Sequence, residues 1–425
     1  MISNYLKQSI QLIKANKVMS IISIAGTALS IAMIMVLVLI YQIQTANFAP
    51  EVNRDRTLYV EYLYYTFNGV DRKFGGAISE RTAKECFLNL KSAKATVLTD
   101  LKDSYLSSQD ELRQMKGYYR PVDTQYWNLF QYRFIEGRPF TQEEFQSGIK
   151  KTVISETVAK TVFGGTKEAM GGTVLVNFEN YEVCGVVENV SSLLNFSYSD
   201  VWVPHTSIHW NNWEDSENTL GDFKILLLMN SPDGYAETKA EMEESFKRFN
   251  AGLVNGKIEL QESLFDHLIY TIGRGLFGTV EMKDMMIRLS LVLMILLLVP
   301  AINLSSFTVS RMRNRLSEIG IRKAYGAVKS DIISQVLYEN LMLTLIGGAI
   351  GVVISYLIIN GVINILIGGN TFQDLSAQSF ISIGMVFRPV VILYAFLFCL
   401  VLNLMSASIP AWRVSRTTII NAIKY

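Results

Sequence analysis

The chain has 425 residues, a formal net charge of +1 and a mean hydropathy of +0.24, and half of its residues are hydrophobic. Charged residues make up 18%, against about 25% in ordinary soluble domains, which excludes a disordered chain and argues against an ordinary soluble enzyme. The near-neutral balance gives no global basic field for nucleic acid. The three scattered cysteines, Cys86, Cys184 and Cys399, outline neither a zinc knuckle nor a disulfide framework, although a single pair such as Cys86 with Cys184 stays open.

In chain order, residues 1–17 place Ile2, Leu6, Ile10 and Ile13 on one helical face and Lys7 and Lys14 on another. This spacing predicts an amphipathic helix in the membrane interface. Val18 to Tyr41 is 24 residues without a charge, longer than a secretory h-region, and predicts an uncleaved first membrane helix. Residues 42–286 have the composition of a folded α+β domain. Strands are expected at Thr57–Leu63, Thr152–Ser155, Val174–Val176, Tyr181–Val187, Asp200–Val203 and Lys224–Met229. Helices are expected at Glu80–Leu90, Glu156–Phe163 and Tyr235–Phe249. Three further uncharged runs, Leu289–Ser310, Asn340–Gln373 and Val390–Pro410, predict spans at about 289–310, 336–366 and 388–409, because lipid accepts only helices or closed barrels and these runs lack a barrel's alternation. The expected fold class is an α-helical membrane protein of four transmembrane helices, with a large α+β extracytoplasmic domain inserted between the first and second.

Charge sets the orientation. Residues 1–17, 309–331 and 411–425 hold 12 basic and 2 acidic residues, leaving 27 basic and 36 acidic residues for the rest. Basic segments stay inside, so both termini and the 311–331 loop are cytoplasmic, and residues 42–286 and the loop near Asp374 are outside.

No HExxH, GxSxG, GxGxxG, EF-hand or P-loop pattern occurs. His205 and His209 with Asp200, Glu214 and Asp215 are the nearest thing to a metal site, and the default reading of such a pair is packing or surface. Trp202, Trp210 and Trp213 read as core aromatics before a ligand surface. In the spans, Gly347-x-x-x-Gly351 and Gly26-x-x-x-Ser30 are small-residue contacts that permit close helix packing. Pro300 and Asn303 mark a kink and a polar contact in the second span, and none of the four runs carries the buried charge that an ion pathway requires.

The most specific stretch is the cytoplasmic loop Glu318-Ile319-Gly320-Ile321-Arg322-Lys323-Ala324-Tyr325-Gly326-Ala327, a short cationic and partly apolar helix re-entering the membrane near Ser330 and Asp331 as N-cap residues. It resembles the Glu-x-Gly-x-Arg-Lys-x-x-Gly-Ala signature of FtsX-like, MacB-type (type VII) ABC permeases. The tail Pro410-Ala-Trp-Arg-Val-Ser-Arg416 is similar to the family's closing motif, with Ile419 where a proline is common. Looser matches are Phe134-Ile-Glu-Gly-Arg-Pro-Phe140, Val153–Glu156, Phe163-Gly164 and Val183-Cys-Gly-Val-Val187.

The resemblance implies a MacB-like extracytoplasmic core of two lobes, the strand-rich one at about 120–232, and an FtsX-like domain over 287–425. It implies a permease subunit, itself not an enzyme, that dimerises with itself or a close paralogue and pairs with two copies of a separate ABC ATPase. The ATPase would bind ATP and Mg2+, leaving no cofactor in this chain. The 318–327 loop would seat in that ATPase, and the spans would relay its closure outward by mechanotransmission, exporting or extracting an amphiphile such as a peptide, drug or lipid-linked molecule. Membrane lipids, a periplasmic adaptor and an outer-membrane channel are the other companions expected in a bacterial plasma (inner) membrane. Two other readings stay open: a regulator of an external cell-wall hydrolase, and a receptor or scaffold without an ATPase.

Overall fold

The computed structural model describes residues 17–69, 73–108, 113–208, 210, 217–260, 264–273, 329–366 and 389–415, and isolated positions between 283 and 328. The interfacial segment 1–16, most of the second span with Pro300 and Asn303, the loop near Asp374 and the tail beyond 415 lie outside the described residues. Residues 44–280 cluster into one compact unit and the membrane-type helices into another.

The helical unit contains α1 (Lys17–Thr45), α5 (Lys329–Leu366) and α6 (Pro389–Ser415). α1 and α5 are each long and apolar enough to cross a membrane, and α6 carries a shorter apolar stretch over Pro389–Leu402. Their surfaces are inverted relative to a soluble bundle. Ile21, Leu29, Val353, Leu357, Tyr394 and Met405 face outward, whereas Ser20, Ser23, Thr27, Ser30, Thr344 and Ser355 are buried. That arrangement costs free energy in water and suits lipid, where small residues at the seam let backbones approach. The hydroxyls satisfy themselves locally: Thr344 Oγ1 donates to Asn340 O at 2.7 Å, Ser355 Oγ to Val352 O at 2.6 Å and Ser408 Oγ to Leu404 O at 2.7 Å. Ile31, Ile34 and Met35 of α1 pack with Ala395 and Cys399 of α6. Pro389 opens α6 at a position where its missing N–H costs nothing.

The extracytoplasmic unit is built on fifteen strands among the described residues. They are β1 (Thr57–Val60), β2 (Leu63–Phe67), β3 (Lys73–Ile78), β4 (Ala93–Thr99), β5 (Lys102–Ser108), β6 (Gln114–Val122), β7 (Phe134–Gly137), β8 (Lys151–Ser155), β9 (Thr173–Val176), β10 (Glu179–Val187), β11 (Val201–Pro204), β12 (Leu220–Gly221), β13 (Phe223–Met229), β14 (Gly256–Glu259) and β15 (Leu264–Asp266). Six of them close a ring. β11 pairs with β8, β8 with β10, β10 with β9, β9 with β5, β5 with β6, and β6 returns to β11. Closure of this kind removes exposed strand edges. The ring is filled by Leu106, Ile154, Val174, Val176, Val183, Val186, Val201 and Val203. The helix α3 (Glu156–Val158), capped by Ser155 Oγ, runs into a π turn over Ala159–Phe163 and adds Val158 and Val162 to the same core.

β7 pairs with β10 of the ring, and the remaining strands make a sheet around β13, which pairs with β4, with β1 and at Phe223 with β3; β15 pairs with β1, β12 with β3, and β3 continues to β2 and β14, under α2 (Glu80–Cys86) and α4 (Tyr235–Asn250). Its core draws on residues 58–97 and 223–264, with Phe87 and Phe246 meeting edge to face at 5.5 Å. The ring and the sheet touch in register at Leu98–Val122. The expected strand Thr57–Leu63 is in fact two strands. The break falls at buried Glu61, whose Oε1 meets Lys224 Nζ at 2.8 Å and accepts from Tyr270 Oη at 3.1 Å.

Two glycines explain why the stretches Phe134–Phe140 and Val183–Val187 belong together. β7 and β10 run antiparallel with Gly137 opposite Gly185. Gly137 has φ +69°, and a Cβ there would strike the Cys184 carbonyl, while one on Gly185 would lie 2.6 Å from Arg138 O. The turn joining β9 to β10 is the opposite case. Asn177 and Phe178 have φ +48° and +63°, the signs of a type I′ turn, yet the second residue is a phenylalanine that is 91% exposed. Left-handed backbone costs a non-glycine residue about 1 kcal/mol or more, so Phe178→Gly is expected to raise the stability of this unit by about 1 kcal/mol in urea unfolding. A loss of stability would mean that the exposed ring contributes contacts that offset its backbone.

Candidate functional site

Of the loop that carries the sequence signature, Gly320, Ile321, Ala324, Tyr325 and Gly326 are described, and Glu318, Ile319, Arg322, Lys323 and Ala327 lie outside the described residues. Gly320, Ile321 and Ala324 are helical, and Tyr325 N donates to Ile321 O at 3.1 Å. Gly326, at φ +91°, supplies the left-handed residue that ends such a turn. The next helix, α5, starts at Lys329, and Asp331 accepts from Val328 N at 3.4 Å. Asp331 therefore caps from inside the first turn rather than from the N-cap position expected of it. Ile321 is 52% and Tyr325 89% exposed, an apolar and aromatic tip that a solvated loop has no need of.

The packing residues are arranged as follows. A Cβ on Gly347 would lie 3.0 Å from both Ile24 O and Thr27 Cβ, and one on Gly351 would lie 2.5 Å from Ala28 O. A Cβ on Gly348 would collide with Phe396 of α6. α5 thus meets α1 on one side and α6 on the other through glycines. Ser30 is buried and Gly26 half-buried in α1.

A second constellation, absent from the sequence reading, sits where the chain passes from α1 into the extracytoplasmic unit. Arg54 Nε meets Glu51 Oε2 at 2.7 Å, and both side chains are buried. Arg54 also donates to Ala46 O at 3.0 Å and lies over the Phe48 ring at 4.3 Å. Ser197 Oγ donates to the other oxygen of Glu51 at 2.7 Å. Burial pushes the Glu51 carboxyl up, but Arg54 and Ser197 outweigh it and leave the group below the usual carboxylate range. Ser197 belongs to a loop held from several sides. Arg120, itself buried, donates to Thr99 O, Asn195 O and Tyr198 O, and Tyr126 Oη donates to Phe196 O. Phe196 packs on Tyr59 and Tyr270, each at 5.0 Å. Isolated charges three apart just after an uncharged run were the only sequence signal for Glu51 and Arg54.

His205 does not point to a ligand set. It is buried between Phe145 and Phe223, with ring centroids at 4.8 and 4.9 Å, and His209 lies outside the described residues. Trp202 is fully buried and donates from Nε1 to Tyr126 Oη at 3.0 Å, a core role; Trp210 meets Phe223 edge to face at 5.1 Å, and Trp213 lies outside the described residues. Cys86 and Cys184 are both free thiols.

Burial pulls His205 from its ordinary 6.5 down to about 4. The unfolded chain therefore takes up a proton before the folded one does, and stability that is fully present above pH 6.5 is lost as pH falls toward 4. The loss reaches on the order of 3 kcal/mol by pH 4. His205→Phe is expected to remove this component, so the variant's stability relative to wild type should rise as pH falls from 7 to 5 in denaturant titrations. A difference that stays flat with pH contradicts a neutral buried imidazole.

Two families match the chain: a MacB-like periplasmic core domain over residues 20–245 and the FtsX-like permease C-terminal domain over residues 290–419. The uncharacterized ABC transporter permease YknZ of Bacillus subtilis is 30% identical over 235 residues, covering 55% of each chain. The macrolide export ATP-binding/permease protein MacB of Escherichia coli K12 is 26% identical over 307 residues, 71% of this chain and 42% of that protein. The chain spans about half the length of the curated relatives it matches. The extracellular domain of YknZ from Gram-positive bacteria aligns at 18% identity, covering 48% of this chain and 99% of that domain, with a TM-score of 0.34; the assignment rests on the two sequence families. With the first of these covering more than half of the residues and the second most of the remainder, the chain belongs to the FtsX/MacB-type ABC transporter permeases that carry a MacB-like periplasmic core domain.

Proposed function

We propose that this chain is the membrane subunit of an ATP-driven transporter that works by mechanotransmission. It would cross a bacterial plasma membrane four times with both termini inside. An ATPase subunit, two copies per permease dimer, would seat the 318–327 loop, and its closure on ATP would move the helices and, through them, the extracytoplasmic unit. The observation that carries this reading is the exposed Ile321–Tyr325 turn, lying inside the FtsX-like match and leading directly into α5. An apolar tip on a basic cytoplasmic loop suits a protein groove. No P-loop occurs in these 425 residues, so ATP and Mg2+ belong to the partner. The relatives' names point to export, and an outward surface that is apolar along α1 and α5 suits an amphiphile handled at the membrane.

The test is co-purification of the full chain from its native membrane with ATP hydrolysis blocked. A stoichiometric ATPase is expected, and Arg322→Ala or Glu318→Ala should weaken its retention while membrane insertion stays intact. Retention unchanged in both variants removes the loop from the coupling role. Absence of any ATPase removes the transporter reading and favours a receptor, whereas a cell-wall hydrolase among the companions favours regulation. Labelling from outside should modify Ser231→Cys and miss Ser317→Cys.

A further inference from the structure

We propose that His267 is a clasp that makes the incoming and outgoing membrane connections of the extracytoplasmic unit move as one body; this rests on the mechanotransmission reading above. His267 follows β15 and precedes the π turn Ile269–Gly273, the last described part of the outgoing connection. Its Nε2 lies 2.7 Å from Gln44 O, and its Nδ1 lies 2.8 Å from Tyr59 Oη.

The chemistry of the two partners sets the tautomer. A carbonyl only accepts, so Nε2 carries the proton, and Nδ1 accepts from the Tyr59 hydroxyl. Burial, with Arg54 adding to it, lowers the imidazole's affinity for a second proton. Gln44 is the penultimate residue of α1, whose last carbonyls have no partner within the helix. His267 therefore caps the C-terminus of α1 from a position 223 residues away in the chain.

The contact is stiffened on both sides. Tyr59, in β1 between β13 and β15, stacks on Tyr270 of the π turn at 4.9 Å and 17°, and Ile269 N is held by Asp266 Oδ1 at 2.7 Å. Tyr59 therefore touches the outgoing connection through two residues of it and lies in the strand that the incoming connection becomes. An axial or rotary displacement at the end of α1 reaches His267 through the Gln44 carbonyl.

The experiment uses the full chain with its co-purified ATPase in lipid nanodiscs and reads hydrogen exchange of peptides covering 44–57 and 264–273. Two variants are compared with wild type. His267→Phe keeps the ring and loses both bonds. His267→Gln places an amide donor where Nε2 reaches the Gln44 carbonyl. At rest, His267→Phe should exchange about tenfold faster in both segments, the factor expected for one buried hydrogen bond, with β4 and β13 unchanged. His267→Gln should stay close to wild type. With ATP and orthovanadate, both segments should respond together in wild type and His267→Gln, and only 44–57 should respond in His267→Phe. Resting exchange of 44–57 that is unchanged in His267→Phe overturns the clasp, as does a joint response to trapped nucleotide in that variant. No nucleotide response in wild type overturns the transmission reading, and the clasp's role in it, even where the resting exchange shows the bond to exist.

Discussion

Arg54→Met should destabilise the extracytoplasmic unit by about 3–5 kcal/mol, the range seen when one partner of a buried ion pair is removed. The variant strips Glu51 of its cation while leaving the carboxylate buried beside the Ser197 hydroxyl. It also breaks the bond to Ala46 O and the packing over Phe48. Against a total stability of about 5–15 kcal/mol for a domain, such a loss should be plain in thermal or urea unfolding of the solubilised chain. The double variant Glu51→Leu/Arg54→Met should recover much of the loss, because two apolar side chains leave no unpaired charge. If Arg54→Met costs less than about 1 kcal/mol, the pair behaves as a solvated surface contact and the joint is not a buried one.

Gly351→Ala and Gly361→Ala make the same chemical change in the same helix and should act in opposite directions. At Gly351 the added carbon would sit 2.5 Å from Ala28 O and 3.2 Å from Ala32 N. These are backbone atoms of α1 that cannot rotate aside, so the helices must part, at a cost of about 1–3 kcal/mol. At Gly361 nothing among the described residues lies within 4 Å of the added carbon, and alanine's better helix propensity should stabilise by up to about 1 kcal/mol. The readout is the melting temperature of the detergent-solubilised chain followed by size-exclusion chromatography. Equal shifts at the two sites would show that α5 does not meet α1 along the Gly347–Gly351 face.

Of the helical unit, α1 and α5 were legible in the sequence, because uncharged runs of more than twenty residues seldom occur outside a membrane. Both packing glycines were legible too, since small residues four apart need no further context to read. In the external unit, β13 announced itself as an apolar run, and β8 by the β-branched Thr152, Val153 and Ile154 at its centre. β3, β5 and β6 did not. Lys73-Phe-Gly-Gly-Ala-Ile78 and Lys102-Asp-Ser-Tyr-Leu-Ser-Ser108 are polar or glycine-rich, and their pairing partners, not their own propensities, make them strands. Closure of the ring was equally out of reach, because the β6–β11 pairing joins residues about eighty apart. The buried joint was hidden for a related reason. Glu51, Arg54, Ser197 and His267 come from three distant stretches, and each alone looks like an ordinary surface residue. In the signature loop the sequence identified an element whose exposed Ile321 and Tyr325 the structure describes, while misplacing the capping role of Asp331 by three positions.

The hydroxyls buried along the membrane helices have a mechanical consequence. A hydroxyl has one proton to give, and those of Thr344, Ser355 and Ser408 are each given to a carbonyl of their own helix. None of these protons pins one helix to the next. The seam between α1 and α5 is closed at Gly347 and Gly351, which lie against Thr27 and Ala28. Helices that meet through glycines and small side chains can shift past each other by small steps, in the manner of a dry bearing. A small lengthwise displacement of one helix against the next leaves those three intrahelical bonds unbroken.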